Sequence, residues 1–264
     1  MGVLPRGREV AQTVQSGRGM NKLLPLLALT AAGCGGANLP IVDVSLSELP
    51  NPSFYAELET EAGGEFTWVQ PEQDAYQGPC HRLPGQTRLS ANGREFKMES
   101  PGGSFPGTLQ WRYATCRPPQ FTSGTLPDEP RTEFILSDGQ SQRRAVFQDL
   151  RAARHFRVNG QEQGTARSGQ ELDIEWFPVT DQIEGVYFEL RAEGSTELVR
   201  MANYGRVQGH HVFLTFVPTA PGRYVLTASG TVMVGVEVCE GFSTCNAPLQ
   251  LYGSRQVSMP LTLE

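Results

Sequence analysis

From residue 54 to the C-terminus, apolar residues recur with a period of two, and the alternating stretches are cut into short lengths by glycine and proline. Successive side chains of a strand point to opposite faces, so this pattern demands half-buried strands and is incompatible with a long amphipathic helix. Phe54, Ala56 and Leu58 line one face of a first strand, and Tyr55, Glu57, Glu59 and Glu61 the other. Leu172, Ile174 and Trp176 alternate with Asp173 and Glu175; Val186, Phe188 and Leu190 with Tyr187, Glu189 and Arg191; Val257, Met259, Leu261 and Leu263 with Ser258, Pro260 and Thr262. Gly 29 and Pro 19 make up about 18% of the 264 residues, while 39% are hydrophobic and 19% charged. A chain of this kind is turn-rich, globular and all-β; a coiled coil, a helical bundle, a collagen repeat, a disordered chain and a polytopic membrane protein are excluded.

The strand candidates fall into two groups. Residues 54–61, 65–69, 108–116, 132–137 and 144–149, with an Asn92-Gly93 hairpin turn, belong to an N-terminal β domain, residues 53–155, and a further strand candidate at 41–46 lies in the tether before it. Residues 117–130 carry Pro118, Pro119, Pro127 and Pro130 and are expected to loop outside any central ladder. Arg143, Arg144, Arg151, Arg154 and Arg157 crowd the expected boundary, where a solvated interdomain connection with charge partners from the acidic remainder is anticipated, a site for acidic lipid or glycan being the alternative. In residues 156–264, the alternating strands above and those at 197–201, 211–217, 223–229 and 232–239 give about seven strands. Two β-sandwich modules result, each of ordinary domain size.

The segment Ala220-Pro-Gly-Arg-Tyr-Val-Leu-Thr-Ala228 resembles the entry to strand F of immunoglobulin, fibronectin type III and PKD-like domains. The resemblance implies that Tyr224 is a tyrosine corner whose phenol caps a loop backbone and that Trp176 is the core aromatic.

The N-terminus carries an address. Residues 23–32 form an apolar run too short to span a membrane but of the size of a signal-peptide centre, preceded by Lys22 and followed by Cys34, with Met20 an alternative start. Ala31-Ala32-Gly33-Cys34 resembles a bacterial lipobox, with Ala31 where leucine is most frequent. The resemblance implies a signal peptide over 1–33, diacylglycerol on Cys34, a lipidated tether over 34–52, and anchorage to a membrane of the bacterial cell envelope, the outer membrane in a Gram-negative cell. Loss of 1–33 removes four basic residues and Glu9, leaving 18 basic against 27 acidic residues and a net charge of −9. Nucleic acid is not an expected partner.

Export suits the cysteines. With Cys34 given to lipid, Cys80, Cys116, Cys239 and Cys245 remain, and of the three possible pairings Cys80–Cys116 and Cys239–Cys245 keep each bridge within one expected domain. On the loop-entropy model these closures contribute roughly 4 and 2.4 kcal/mol.

Catalytic signatures do not emerge. Gly102-Gly-Ser-Phe-Pro-Gly107 breaks the nucleophile-elbow pattern, Lys97 is the sole lysine after residue 33, and neither H-E-x-x-H nor an EF-hand loop is present. Asp173/Glu175 and Asp181/Glu184 are carboxylate pairs of the type glycosidases use, but so acidic a chain forms such pairs by chance. Glu57, Glu59 and Glu61 read as a solvated strand face, with weak Ca²⁺ binding the alternative. No metal site is expected: Cys80, His81 and Cys116 lack zinc spacing, and His210 and His211 as strand neighbours point to opposite faces. No cofactor is expected.

The leading expectation is therefore a lipid-anchored, non-enzymatic binding or display module facing an envelope protein or glycan. The alternatives are a structural or assembly subunit of an envelope complex and a hydrolase with an unfamiliar site. Phe242, on the short loop closed by Cys239–Cys245, is the candidate contact residue, an aromatic anchor held on a constrained loop.

Overall fold

The computed structural model describes residues 39–58, 64–70, 79–105, 115–124, 126, 129–195, 198–199, 201–203, 205–216 and 220–264. The signal segment, Cys34, the tether as far as residue 38, Glu59, Glu61 and most of the strand expected at 108–116 lie outside these residues. The remainder is strand and turn, with one 3₁₀ turn at Gly253–Arg255, and the protein is an all-β sandwich. The alternation read from the sequence is reproduced: in Glu171–Phe177, Leu172, Ile174 and Trp176 are buried and the residues between them face outward. Two hydrophobic cores result, one led by Phe54, Phe121, Phe134 and Phe147, the other by Trp176, Phe156 and Phe188.

Nine strands surround the first core, in the order Val236–Glu240, Gln142–Gln148, Arg131–Ser137, Arg88–Ala91, Arg94–Ser100, Gln120–Gly124, Gly64–Gln70, Ser53–Leu58 and Thr244–Asn246. Arg94–Ser100 passes from one layer to the other. Its first half pairs with Arg88–Ala91 and its second with Gln120–Gly124, with a register slip between Met98 and Ser100. The expected Asn92-Gly93 turn forms, both residues at positive φ (46° and 79°), which lets the two-residue hairpin follow the strand twist.

Two expectations are corrected here. Gln120–Gly124 is a central strand, not a loop: the four prolines flank it, none falls within it, and its backbone is free to pair on both edges. Residues 236–246 do not belong to a self-contained sandwich over 156–264. Val236–Glu240 pairs with Gln142–Gln148 and Thr244–Asn246 with Ser53–Leu58, so one hairpin supplies both end strands of the first sheet. The Cys239–Cys245 disulfide joins those ends, with Cα atoms 5.8 Å apart. The loop is a seam closing a folded-over sheet, and it removes edges that would otherwise be open to pairing.

The second core lies between two sheets. One runs His155–Val158, Glu171–Phe177, His211–Phe216 and Met201–Asn203, with Val207–Gln208 also on His211–Phe216; the other runs Gly164–Ala166, Val257–Leu263, Gly222–Met233, Gln182–Ala192 and Leu198–Val199, with Pro248–Leu251 also on Gly222–Met233. Trp176 is fully buried, its indole stacked 6.3 Å from Phe156. Tyr224 is a tyrosine corner as expected, its hydroxyl donating to Ala220 O at 2.7 Å.

The backbone passes between the cores three times, near 149–155, 233–236 and 246–248. A buried ion pair sits at the first passage: Arg154 Nε and Nη2 donate to Asp181 at 3.1 Å, Trp176 Nε1 donates to Asp181 Oδ2 at 3.0 Å, and Arg154 Nη1 donates to Leu150 O and Ala152 O. At the second passage Gln148 N donates to Gly235 O, and a Cβ on Gly235 would stand 2.5 Å from Thr180 O, so only glycine fits. The expected arginine cluster finds its acidic partners at Arg144 and Arg157 and is corrected at Arg154 and Arg143, which are not solvated. The Arg154 side chain is 5% exposed, Arg143 donates to carbonyls of Leu46, Leu49 and Gly241, Arg144 pairs with Glu133 and Glu240, and Arg157 with Glu162.

Candidate functional site

The outward face of the sheet His155–Val158, Glu171–Phe177 and His211–Phe216 gathers chemistry that the sequence scatters over 60 residues. In these antiparallel ladders residues directly opposite share a face. Register sets His155 opposite Phe177, Arg157 opposite Glu175, Glu175 opposite His211, and Asp173 opposite Phe213. Since Leu172, Ile174 and Trp176 point into the core, this whole set is left on the solvent side. The His155 and Phe177 rings stack at 4.9 Å, nearly parallel; Arg157 lies over Phe177 at 5.1 Å and Arg206 over Phe213 at 4.4 Å. Cations held over ring faces keep these half-exposed aromatics in fixed orientations.

His210 completes the arrangement by leaving the strand. Gln208 and His211 pair, so Gly209 and His210 form a two-residue hairpin turn, with Gly209 at φ 60° in the first central position that a II′ turn reserves for glycine. The expectation that His210 and His211 diverge rested on both being in the strand. His210 is in the turn instead, and the two rings come to 4.4 Å on the same face. His211 Nδ1 is 2.7 Å from Asp173 Oδ1, and since an ionised carboxylate only accepts, the imidazole is the donor. His210 Nε2 lies 3.8 Å from Glu175 Oε1. The ligand atoms of Glu175, His210 and His211 all lie within 4.8 Å of one another. Two imidazoles, expected on opposite faces of a strand, and one carboxylate thus lie near one another on this face.

The other sequence candidates fall elsewhere. Cys80–Cys116 and Cys239–Cys245 are both bridged, as expected, and His81 therefore has no thiolate beside it for zinc. Asp181 is buried against Arg154 and Trp176, which makes it structural and separates it from Glu184 as an acid/base pair. Phe242 is not a solvent-facing anchor. It is 9% exposed and packs 5.1 Å from Phe54 in the first core, because the hairpin that carries it is part of that sheet. A shallow groove of about 520 Å³ beside it is lined by residues 47–51, Arg143 and 241–243. The Arg143 guanidinium there is spent on three backbone carbonyls, and its burial lowers its pKa from the ordinary arginine value.

No protein-family model matches the chain, and no curated protein matches it. Among solved structures it is similar to an I9–I11 tandem of titin (12% identity, TM-score 0.27, covering 86% of this chain and 64% of that one). It is also similar to SGBP-B of the Bacteroides ovatus mixed-linkage glucan utilization locus, in complex with a mixed-linkage heptasaccharide (11%, TM-score 0.26, 76% of this chain and 52% of that one). A third is chimeric titin Z1Z2 (10%, TM-score 0.21, 86% and 94%). The chain thus spans under two thirds of the length of the first two, and TM-scores this low carry no inference about ligand or activity.

Proposed function

We propose that the protein is a lipid-anchored, non-enzymatic binding module of the bacterial cell envelope, tethered through Cys34 and meeting an envelope glycan or protein at the outward face that carries His155, Asp173, Glu175, Phe177, His210, His211 and Phe213. The observation that carries the reading is this face itself: half-exposed rings, carboxylates and imidazoles gathered on one sheet, with His155, Phe177 and His211 held by stacking, a cation and a carboxylate, the setting in which such groups bind with little loss of freedom. Of the carboxylates considered for acid–base chemistry, Asp181 is locked in a buried ion pair with Arg154 and is not available for it. The net charge of −9 after residue 33 disfavours nucleic acid as the partner. Anchorage is tested by Cys34→Ala in cells fed a fatty-acid analogue. Loss of label and release from the membrane fraction are expected; retained label would overturn the anchor.

A further inference from the structure

We infer that Glu175, His210 and His211 form a site for one divalent transition-metal cation, of the class that imidazole prefers, with Zn²⁺ as its probe. The inference deepens the binding-face reading and rests on it, adding a ligand class that neither strand alternation nor composition announces.

Two imidazoles and one carboxylate are a donor set for Zn²⁺, Cu²⁺ or Ni²⁺; Ca²⁺ and Mg²⁺ take shells made of oxygen. The ligand atoms lie within 4.8 Å of one another, and a tetrahedral zinc with bonds of roughly 2.0–2.2 Å sets its ligands roughly 3.3–3.5 Å apart. Rotation of the Glu175 and His210 side chains, 27% and 31% exposed, about the His211 ring that Asp173 holds is the movement that would close that difference. The backbone under them is fixed. Glu175 and His211 are register partners, and Trp176 N donates to His210 O at 2.8 Å, tying the turn to the strand that carries Glu175.

Asp173 supplies the orienting group. Its carboxylate accepts from His211 Nδ1, which fixes the ring and its tautomer and leaves Nε2 as the nitrogen free to ligate. Arg157, opposite Glu175 in register, directs its guanidinium to the Phe177 ring and to Glu162, so a strong cationic partner of Glu175 is turned aside. Three protein ligands on a solvent-facing surface leave a fourth position open to water or to a donor from the bound partner.

The test is equilibrium dialysis of the full chain in detergent against Zn²⁺ alone, with Co²⁺ absorption reporting geometry. One ion per chain is expected, outcompeting Ca²⁺ and Mg²⁺. His210→Ala, His211→Ala and the near-isosteric Glu175→Gln should each weaken uptake by about tenfold or more, and Asp173→Asn by about tenfold through the ring it orients. Unchanged metal-free melting of the variants assigns the loss to ligation, and Glu175→Gln retains the test if a histidine variant misfolds. No saturable uptake, or uptake of one ion that survives all four substitutions, would overturn the site. Zinc uptake is read on purified protein and partner contact in cells, so either can fail without the other.

Discussion

Asp181 and Asp138 show how single carboxylates hold this chain. Asp181 balances the buried charge of Arg154 and accepts from the Trp176 indole, so removing its charge leaves a guanidinium without compensation. Asp181→Asn keeps an oxygen for Trp176 but not the charge, and should cost about 3–5 kcal/mol by denaturant melt; Arg154→Met with Asp181→Leu should recover most of it. Asp138 takes backbone N–H donors from Leu46 at 2.9 Å, Ser141 at 2.8 Å and Gln140 at 3.0 Å. The Leu46 and Ser141 bonds outweigh burial and lower its pKa from the ordinary aspartate value. A carboxyl with a depressed folded pKa stabilises fully above its unfolded value, roughly pH 4, and its contribution is lost as pH falls through the folded value. Thermal melts of the parent should therefore drop more steeply below about pH 4 than those of Asp138→Asn; parallel curves would remove Asp138 from the acid response.

At the scale of elements, the 236–246 hairpin matters most. It carries Phe242 and Cys245 into the first core and closes the sheet at both ends. Phe242→Ala should destabilise by about 3 kcal/mol, as truncation of a buried Phe does; a melt within about 0.5 kcal/mol of the parent would return Phe242 to the surface. Period-two alternation is enough to read the strands at 172–176, 186–190 and 257–263; the Asn92-Gly93 turn is legible from its dipeptide, and Tyr224 from the resemblance of 220–228 to a strand-F entry. Alternation is not enough for the hairpin's destination, because local pattern records which face is buried and not which core receives it. Prolines marked 117–130 as a loop because their density was weighed over their spacing. The site was half legible. Asp173, Glu175, His210 and His211 stand out singly in the sequence, but their convergence depends on Gly209 turning His210 out of the strand, which strand alternation does not register. Asn159-Gly160, both at positive φ, repeats the hairpin signal of Asn92-Gly93.

For the whole molecule, three chain passages and the Arg154–Asp181 pair join the two cores within residues 36–264, and the outward sheet face belongs to that one unit. The direct test places a photoreactive phenylalanine analogue at position 177, on that face, and separately at Glu95, exposed on the strand Arg94–Ser100, in cells making the full chain. A discrete crosslinked adduct to an envelope glycan or protein from position 177, absent from position 95, is the predicted result. No adduct at 177, or the same adducts from both positions, would contradict the assignment of the binding face.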